Sequence, residues 1–169
     1  MKRDWLKPDW EPGLSIQHLP IEYLINLGIK GVLLDVDGTL LARHEVNLHN
    51  SVKLWVEKAK ENLNCHLLSN NPSKRRIENI SKQLNITFTY NAAKPSTKAL
   101  RRAIAEFKEN PQQIAIIGDR LFTDILVGNR LGLYTVLVQP LGPNGIIKAN
   151  NKTQRIEQSI AALFGAKKQ

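Results

Sequence analysis

Residues 33–40 read LLDVDGTL, an apolar run that ends in two aspartates, Asp35 and Asp37, separated by a single valine. Two carboxylates this close repel each other, and at the end of a buried element each also loses hydration. The pair therefore needs a compensating cation or a raised pKa. Mg²⁺ takes oxygen ligands from one or two carboxylates and usually accompanies a substrate phosphate, whereas Asp-Gly is also a common turn dipeptide. The stretch alone does not decide between a metal site and an ordinary turn.

Short apolar segments alternate with longer segments of helical periodicity along the chain. The predicted strands are 31–36, 65–70, 86–90, 114–119 and 134–138, and the predicted helices are 51–63, 73–84, 95–110 and 123–132. Apolar strands separated by helices are typical of a parallel sheet that is covered on both faces. The sequence therefore predicts an α/β fold, a Rossmann-like doubly wound sheet of five parallel strands.

This pattern divides the chain into three expected regions. Residues 1–30 are expected to form a leader with a short amphipathic helix, residues 31–145 the α/β core, and residues 146–169 a terminal helix and a basic tail. Trp5 and Trp10 in the leader either pack on the core or contact a membrane, and the sequence supports both interpretations.

Proline and glycine positions mark the expected helix ends. The leader helix is predicted over 16–28, and the terminal helix over 153–164. Pro72 and Pro95 are expected in the first helical turn, where proline is tolerated. Gly132 is expected directly after the last turn of its helix, where a left-handed residue is needed.

Composition limits the class of protein. The chain has 169 residues, 42% of them hydrophobic, and its one cysteine, Cys65, excludes an intrachain disulfide. No apolar run approaches the roughly 20 residues of a membrane span, and no secretion signal is visible. We expect a cytoplasmic protein that could also act peripherally at the inner face of a membrane. A net charge of +9 predicts attraction to nucleic acid, acidic lipid or phosphorylated ligands, and the oligomeric state stays open.

Polar residues follow four of the predicted strands. Along the chain they are Asp35 with Asp37, Ser69 with Asn70, Lys94, and Asp119. Each has an ordinary explanation as a turn or surface residue. The carboxyl ends of parallel strands meet at one edge of a sheet, where ligands bind, so we expect these side chains to lie close together.

In this order the segments resemble the motifs of the haloacid dehalogenase superfamily of aspartyl-phosphate phosphatases. They are DVDGT at 35–39, Ser69, Lys94 and GDRLFTD at 118–124. Within its capless members, the stretches SNNPSKRRI and KPSTKALRRAI are similar to the phosphatidylglycerophosphate phosphatase family. About 31 residues separate Asp37 from Ser69 and about 24 separate Ser69 from Lys94, room for one helix and its loops but not for a cap domain.

The resemblance implies a role for each motif residue. Asp35 is expected to attack phosphorus and carry the phosphoryl group. Asp37 is expected to protonate the leaving alkoxide and then to deprotonate the attacking water. Lys94, Ser69 and the backbone N–H of Asn70 are expected to bind the phosphoryl oxygens.

A metal site is implied as well. Mg²⁺ is expected to be held by the Asp35 carboxylate, the backbone carbonyl of Asp37, and Asp119. Asp124 supports the site, either by reaching the metal through water or by holding Lys94. Thr39 is expected to be a turn residue that supports its neighbours.

Three functions from different classes follow. The first is a Mg²⁺-dependent phosphatase acting on phosphatidylglycerophosphate at a membrane surface, and the second is a phosphatase of the same chemistry acting on a nucleotide, sugar phosphate or phosphoprotein. The third is a non-catalytic basic binding module. No nucleic-acid partner is expected, because the basic residues are spread over many helices without interleaved aromatics. An open site favours a bulky substrate, such as an anionic phospholipid, and Arg43 and His44 could meet a second phosphate.

Overall fold

The computed structural model of the protein describes residues 4–148 and 152–163. The strands are β1 (Gly31–Leu34), β2 (Asn64–Leu68), β3 (Thr87–Thr89), β4 (Ile114–Gly118) and β5 (Tyr134–Leu137). The α-helices are α1 (Ile21–Asn26), α2 (Asn50–Lys60), α3 (Lys74–Leu84), α4 (Thr97–Glu106), α5 (Leu126–Leu131) and α6 (Lys152–Leu163). A π-helical turn, Leu121–Ile125, leads into α5.

The strands form one parallel sheet in the order β3-β2-β1-β4-β5. Strand order reverses between β1 and β4, because the chain builds one half of the sheet outward from β1 and then returns to β4 for the other half. The predicted α/β fold is therefore confirmed. In such a sheet the crevice beyond the carboxyl ends of the strands at this reversal is the usual ligand site.

Alternate residues of β1 serve two separate cores. Val32 and Leu34 belong to a cluster with buried residues of α2 and α3, including Trp55, whose indole N–H donates to the carbonyl of Leu19 at 2.9 Å. Leu33 belongs to the cluster that covers the opposite face with α4 and α5. Because both faces are buried, β1 and β4 have to be apolar throughout, and this is why their sequences are continuous hydrophobic runs.

Pro72 and Pro95 stand before their α-helices rather than in the first turns. Ser73 and Ser96 are the N-caps of α3 and α4, so Pro72 and Pro95 precede the caps, and the prediction of their position was wrong by two residues. The predicted helix over 16–28 is also interrupted. Pro20 disfavours helical geometry at the residue before it, and the segment splits into a 3₁₀ turn, Ile16–His18, and α1. Gly132 has φ 73° and ends α5 as expected.

The described part of the leader covers one edge of the sheet. The backbone N–H of Trp10 donates to the Thr135 carbonyl at 3.0 Å, and the N–H of Leu137 donates to the Trp10 carbonyl at 2.9 Å. The indole of Trp10 packs on Tyr23 with ring centroids 4.4 Å apart. Trp10 therefore packs on the core, whereas Trp5 is 47% exposed.

The C-terminal helix α6 begins one residue before its predicted start. The predicted basic tail lies outside the described residues, and the division into leader, core and tail stays a prediction. Within 4–148 and 152–163, no helix is long and apolar enough to cross a bilayer.

A buried histidine makes the stability of the fold sensitive to pH. His66 on β2 is 3% exposed, and its two ring nitrogens lie 2.7 and 2.8 Å from the hydroxyls of Thr87 and Thr89 on the neighbouring strand. Burial lowers the pKa of His66 from its ordinary value of 6.5, so the unfolded chain takes up a proton at a higher pH than the folded one.

We expect the free energy of unfolding to fall as the pH drops below 6.5, by at most about 1.4 kcal/mol per pH unit from this group. Urea unfolding of the wild type and His66→Gln across pH 5 to 8 measures the contribution, because the glutamine has no titrating ring. The difference in stability between the two proteins should change as the pH falls. A difference that stays constant with pH would contradict the prediction.

Candidate active site

The polar residues at the strand ends meet beside β1 and β4, as the sequence predicted. All of them except Asp119 line a cavity of about 270 Å³, named here the inner cavity. Its walls carry carboxylates, basic side chains and the turn after β2. The lining residues are Asp35, Asp37, Arg43, Ser69, Asn70, Asn71, Pro72, Lys94, Arg120, Thr123 and Asp124.

Lys94 occupies the centre of the charged groups. Its ammonium donates to Asp35 Oδ1 and Asp124 Oδ1, both at 2.6 Å, and to the Leu68 carbonyl at 2.9 Å. Burial alone would lower the pKa of Lys94, but the carboxylates of Asp124 and Asp35 outweigh it and raise the pKa above its ordinary value. Lys94 is therefore a permanent cation whose three N–H groups all have protein acceptors. Its direct contact with phosphate stays a prediction.

Three buried carboxylates, Asp35, Asp119 and Asp124, lie close together and are named here the acidic cluster. One oxygen from each of Asp35, Asp119 and Asp124 lies within 4.8 Å of the other two. Burial raises the pKa of Asp119 to about 8 and that of Asp124 to about 6, and neighbouring carboxylates add to both effects. Asp119 Oδ1 is buried without a hydrogen-bond partner. Oxygen ligands, concentrated negative charge and an unsatisfied buried oxygen all fit a divalent cation.

Gly38 allows these carboxylates to approach the loop after β1. Its φ is 96°, in the region that favours glycine, and a Cβ at this position would lie 2.6 Å from Asp119 Oδ2. Thr39 follows and donates through its hydroxyl to Asp35 Oδ2 at 3.1 Å. The DGT turn therefore both orients Asp35 and makes room for Asp119.

Asp37 lies apart from the acidic cluster. Its carboxylate accepts a hydrogen bond from Asn71 Nδ2 at 3.1 Å and pairs with Arg76 Nη1 at 2.9 Å. Arg76 also donates to the backbone carbonyls of Arg43 and Glu45, at 3.1 and 2.8 Å. The side chain of Asp37 is thus held by α3 and the turn before it, and a metal contact through its backbone carbonyl stays a prediction.

The turn after β2 positions Lys94. The side-chain oxygen of Asn70 accepts from the Lys94 N–H at 2.7 Å, and its amide donates to the Lys94 carbonyl at 2.9 Å. Ser69 Oγ accepts from the N–H of Asn71 at 3.0 Å. The structure therefore places Ser69 and Asn70 in the wall of the cavity, and their contacts with phosphate stay predictions.

Several residues of the site were given no role from the sequence. Asn71 and Arg76 lie in the SNNPSKRRI stretch, so their position near a motif was the available signal. Arg120 lies in GDRLFTD and pairs with Glu157 of α6 at 2.5 Å, and Glu157 also accepts from the N–H of Leu121 at 3.0 Å. No pattern in the sequence indicates Glu157, because its contact depends on how α6 packs.

A second cavity of about 400 Å³ adjoins the first and is named here the outer cavity. Asp37, Arg43 and Arg120 line both. Asp119 lines the outer cavity only, together with residues of the segment after β5 and the start of α6. The acidic cluster is thus reached between these two cavities.

The sequence matches one protein-family model and several known proteins. The family model described as mitochondrial PGP phosphatase matches residues 5–141. The probable phosphatase YqeG of Bacillus subtilis is 35% identical over 155 residues, which cover 90% of this chain and 88% of that protein. Phosphatidylglycerophosphate phosphatase 1, chloroplastic/mitochondrial, of Arabidopsis thaliana is 24% identical over 136 residues, which cover 75% of this chain but 39% of that longer protein.

Solved structures share the fold. The cobalt-bound deoxy-D-mannose-octulosonate 8-phosphate phosphatase of Haemophilus influenzae aligns with a TM-score of 0.54 at 19% identity, covering 66% of this chain and 68% of that one. An uncharacterised protein of Listeria monocytogenes aligns with a TM-score of 0.56 at 16% identity, covering 73% of this chain and 84% of that one. At these identities the likeness concerns the fold alone.

Proposed function

Because the chain belongs to the family of mitochondrial PGP phosphatases, within the haloacid dehalogenase superfamily, we propose that it hydrolyses the phosphate monoester of phosphatidylglycerophosphate. Phosphatase activity comes with family membership. The choice of this lipid, the use of Mg²⁺ and action at the inner face of a membrane are proposals.

The observation that carries the mechanism is the Asp35–Lys94–Asp124 arrangement. Asp35 is 7% exposed, and one of its oxygens accepts from Thr39 while the other accepts from Lys94. A carboxylate fixed in this way can attack phosphorus along one direction and form an aspartyl-phosphate as the ester bond breaks. Lys94 offsets the negative charge that would otherwise oppose attack on a phosphate dianion.

Asp37 is suited to the proton transfers. Its side chain is 18% exposed, lines both cavities and is held by Asn71 and Arg76. In the first step it donates a proton to the departing alkoxide oxygen. In the second step it removes a proton from the water that attacks the aspartyl-phosphate, which releases inorganic phosphate and returns Asp35 to its original state.

The acidic cluster is proposed to hold Mg²⁺ through Asp35 and Asp119, with Asp124 close enough to contribute directly or through water. When bound, the ion supplies positive charge next to the phosphoryl oxygens. The unpartnered Asp119 Oδ1 supports this placement.

The openness of the site supports a large substrate. In the described residues, the segments 35–49 and 69–73 that leave β1 and β2 contain loops and no inserted domain. A lipid head group can therefore approach while its acyl chains stay in a bilayer.

A phosphate-release panel tests the proposal. With Mg²⁺ present, we expect release from phosphatidylglycerophosphate in detergent micelles to exceed release from nucleotide monophosphates, sugar phosphates and a phosphopeptide by at least about tenfold in kcat/KM. The Asp35→Asn protein is the blank, and omission of Mg²⁺ tests the metal. Preference for a nucleotide, sugar phosphate or phosphopeptide would favour the alternative of a phosphatase that does not act on lipid.

A further inference from the structure

Three segments surround the outer cavity and are named here the rim: residues 43–46, residues 140–148 and α6. They are tied to one another and to the site by hydrogen bonds. The N–H of Leu141 donates to the Gly38 carbonyl at 2.7 Å, and the N–H of Asn144 donates to Glu45 Oε1 at 2.9 Å. Gln154 Nε2 donates to the Asp119 carbonyl at 3.3 Å. The rim is therefore built directly on the catalytic loops.

The rim exposes large apolar side chains. Of the ten exposed large hydrophobic side chains in the described part of the chain, five belong to it: Val46 (51% exposed), Ile146 (68%), Ile147 (38%), Ile156 (58%) and Ile160 (37%). Ile156 and Ile160 are four residues apart on α6 and so share one face of the helix, while Gln154, Glu157 and Ala161 are buried. The five do not line the outer cavity themselves but belong to segments that do, and exposed apolar side chains in such segments indicate a contact surface.

The charge of the rim is predominantly positive. Arg43, Lys148, Lys152 and Arg155 are exposed. The acidic residues in residues 43–46, 140–148 and 152–160 are Glu45 and Glu157, and both are engaged, Glu45 with backbone N–H groups and Glu157 with Arg120. The outward charge therefore complements an anionic surface.

We propose that the rim docks on an anionic lipid bilayer. Its isoleucines enter the head-group boundary, and its basic side chains pair with lipid phosphates, the combination by which peripheral proteins bind such surfaces. Docking then sets the outer cavity against the head groups, so that a phosphate monoester enters the site without the lipid leaving the bilayer. This inference rests on the proposed lipid substrate.

The two tryptophans of the leader lie away from the inner and outer cavities. Trp10 is engaged with β5 and Tyr23. The carbonyl of Trp5 accepts from Asn129 Nδ2 at 2.9 Å, on α5, and neither tryptophan lines the inner or the outer cavity.

Sedimentation with vesicles tests the proposal on the full chain. Binding to phosphatidylcholine vesicles is measured with and without phosphatidylglycerol, for Ile146→Ser combined with Ile156→Ser and, separately, for Lys148→Glu. We expect each to weaken binding to the anionic vesicles by about tenfold or more, because apolar contact and charge both contribute. Matched controls are Leu54→Ser, at a position 63% exposed on α2, and Lys108→Glu, at an exposed position between α4 and β4. Both should bind like the wild type.

Thermal unfolding of each variant confirms that it is folded. Binding that is unchanged in both rim variants, or that falls as much in the controls, would overturn the proposal, as would loss of binding in Trp5→Ser with the rim variants unaffected. Phosphate release from the lipid in detergent micelles is measured separately. Vesicle binding that depends on the rim, without lipid hydrolysis, would support docking and reject the proposed function. Lipid hydrolysis with vesicle binding that does not depend on the rim would support the proposed function and reject docking.

Discussion

The Asp35→Asn variant is expected to lose phosphate release by at least about a thousand-fold in kcat, equivalent to about 4 kcal/mol of transition-state stabilisation. Asparagine has nearly the shape of aspartate and can still accept from Thr39, but its amide cannot attack phosphorus. The same change also removes one carboxylate from the acidic cluster. Folding should be little affected, because Lys94 keeps its contacts with Asp124 and the Leu68 carbonyl.

Mass spectrometry separates loss of the nucleophile from loss of metal binding. Wild-type protein quenched in acid during turnover should carry one phosphoryl group on the peptide containing Asp35, and the variant should carry none. Asp4→Asn makes the same chemical change at an exposed leader position and should leave both measurements unchanged. Substantial turnover by Asp35→Asn, or a phosphoryl group found on another residue, would contradict the assignment.

Of the substitutions considered, Lys94→Met should cause the largest loss in the free energy of unfolding. The variant retains most of the side-chain volume but leaves Asp35 and Asp124 without their buried cation. Removing one partner of a buried ion pair typically costs about 3–5 kcal/mol. We expect this loss in urea unfolding at pH 8 with a chelator present. Lys98→Met, at an exposed position on α4, is the matched control and should cost little.

A second substitution isolates the charge effect. Combining Lys94→Met with Asp124→Asn removes one of the unbalanced carboxylates, so the double variant should be more stable than Lys94→Met alone. Added Mg²⁺ should also restore part of the stability of the single variant, because a bound cation stabilises the folded state that holds it. If neither Asp124→Asn nor added Mg²⁺ restored stability to the Lys94→Met protein, the loss would come from packing around Lys94 and not from its charge.

The fold was predictable because its signals are local. β1 and β4 are apolar on both faces, and each is followed within two residues by an aspartate, so strand type and the edge of the sheet can both be read from the chain. The break in the predicted 16–28 helix is also a local effect, because Pro20 disfavours helical geometry at the residue before it. Applying this rule to Pro20 would have predicted the break.

The contacts that hold the side chains of the site in place were harder to predict, because they join segments that are far apart in the sequence. Asp37 and Arg76 are separated by a helix and a strand, and Arg120 and Glu157 by α5 and β5. The motifs indicate which groups do the chemistry, and tertiary structure decides what holds them. Asn70 illustrates this, since its side chain positions Lys94 through the lysine backbone.

The backbone bonds of Trp10 also bear on self-association. An edge strand with free N–H and C=O groups can pair with the same strand of another molecule, and this is a common route to aggregation. On β5, the backbone of Trp10 pairs with the Thr135 carbonyl and the Leu137 N–H, which would otherwise face solvent. The opposite edge strand, β3, is only three residues long. A chain shortened past Trp10 would expose β5, with its buried Val136 and Leu137, as a template for intermolecular pairing. We therefore expect the leader to protect this edge of the sheet from pairing between molecules.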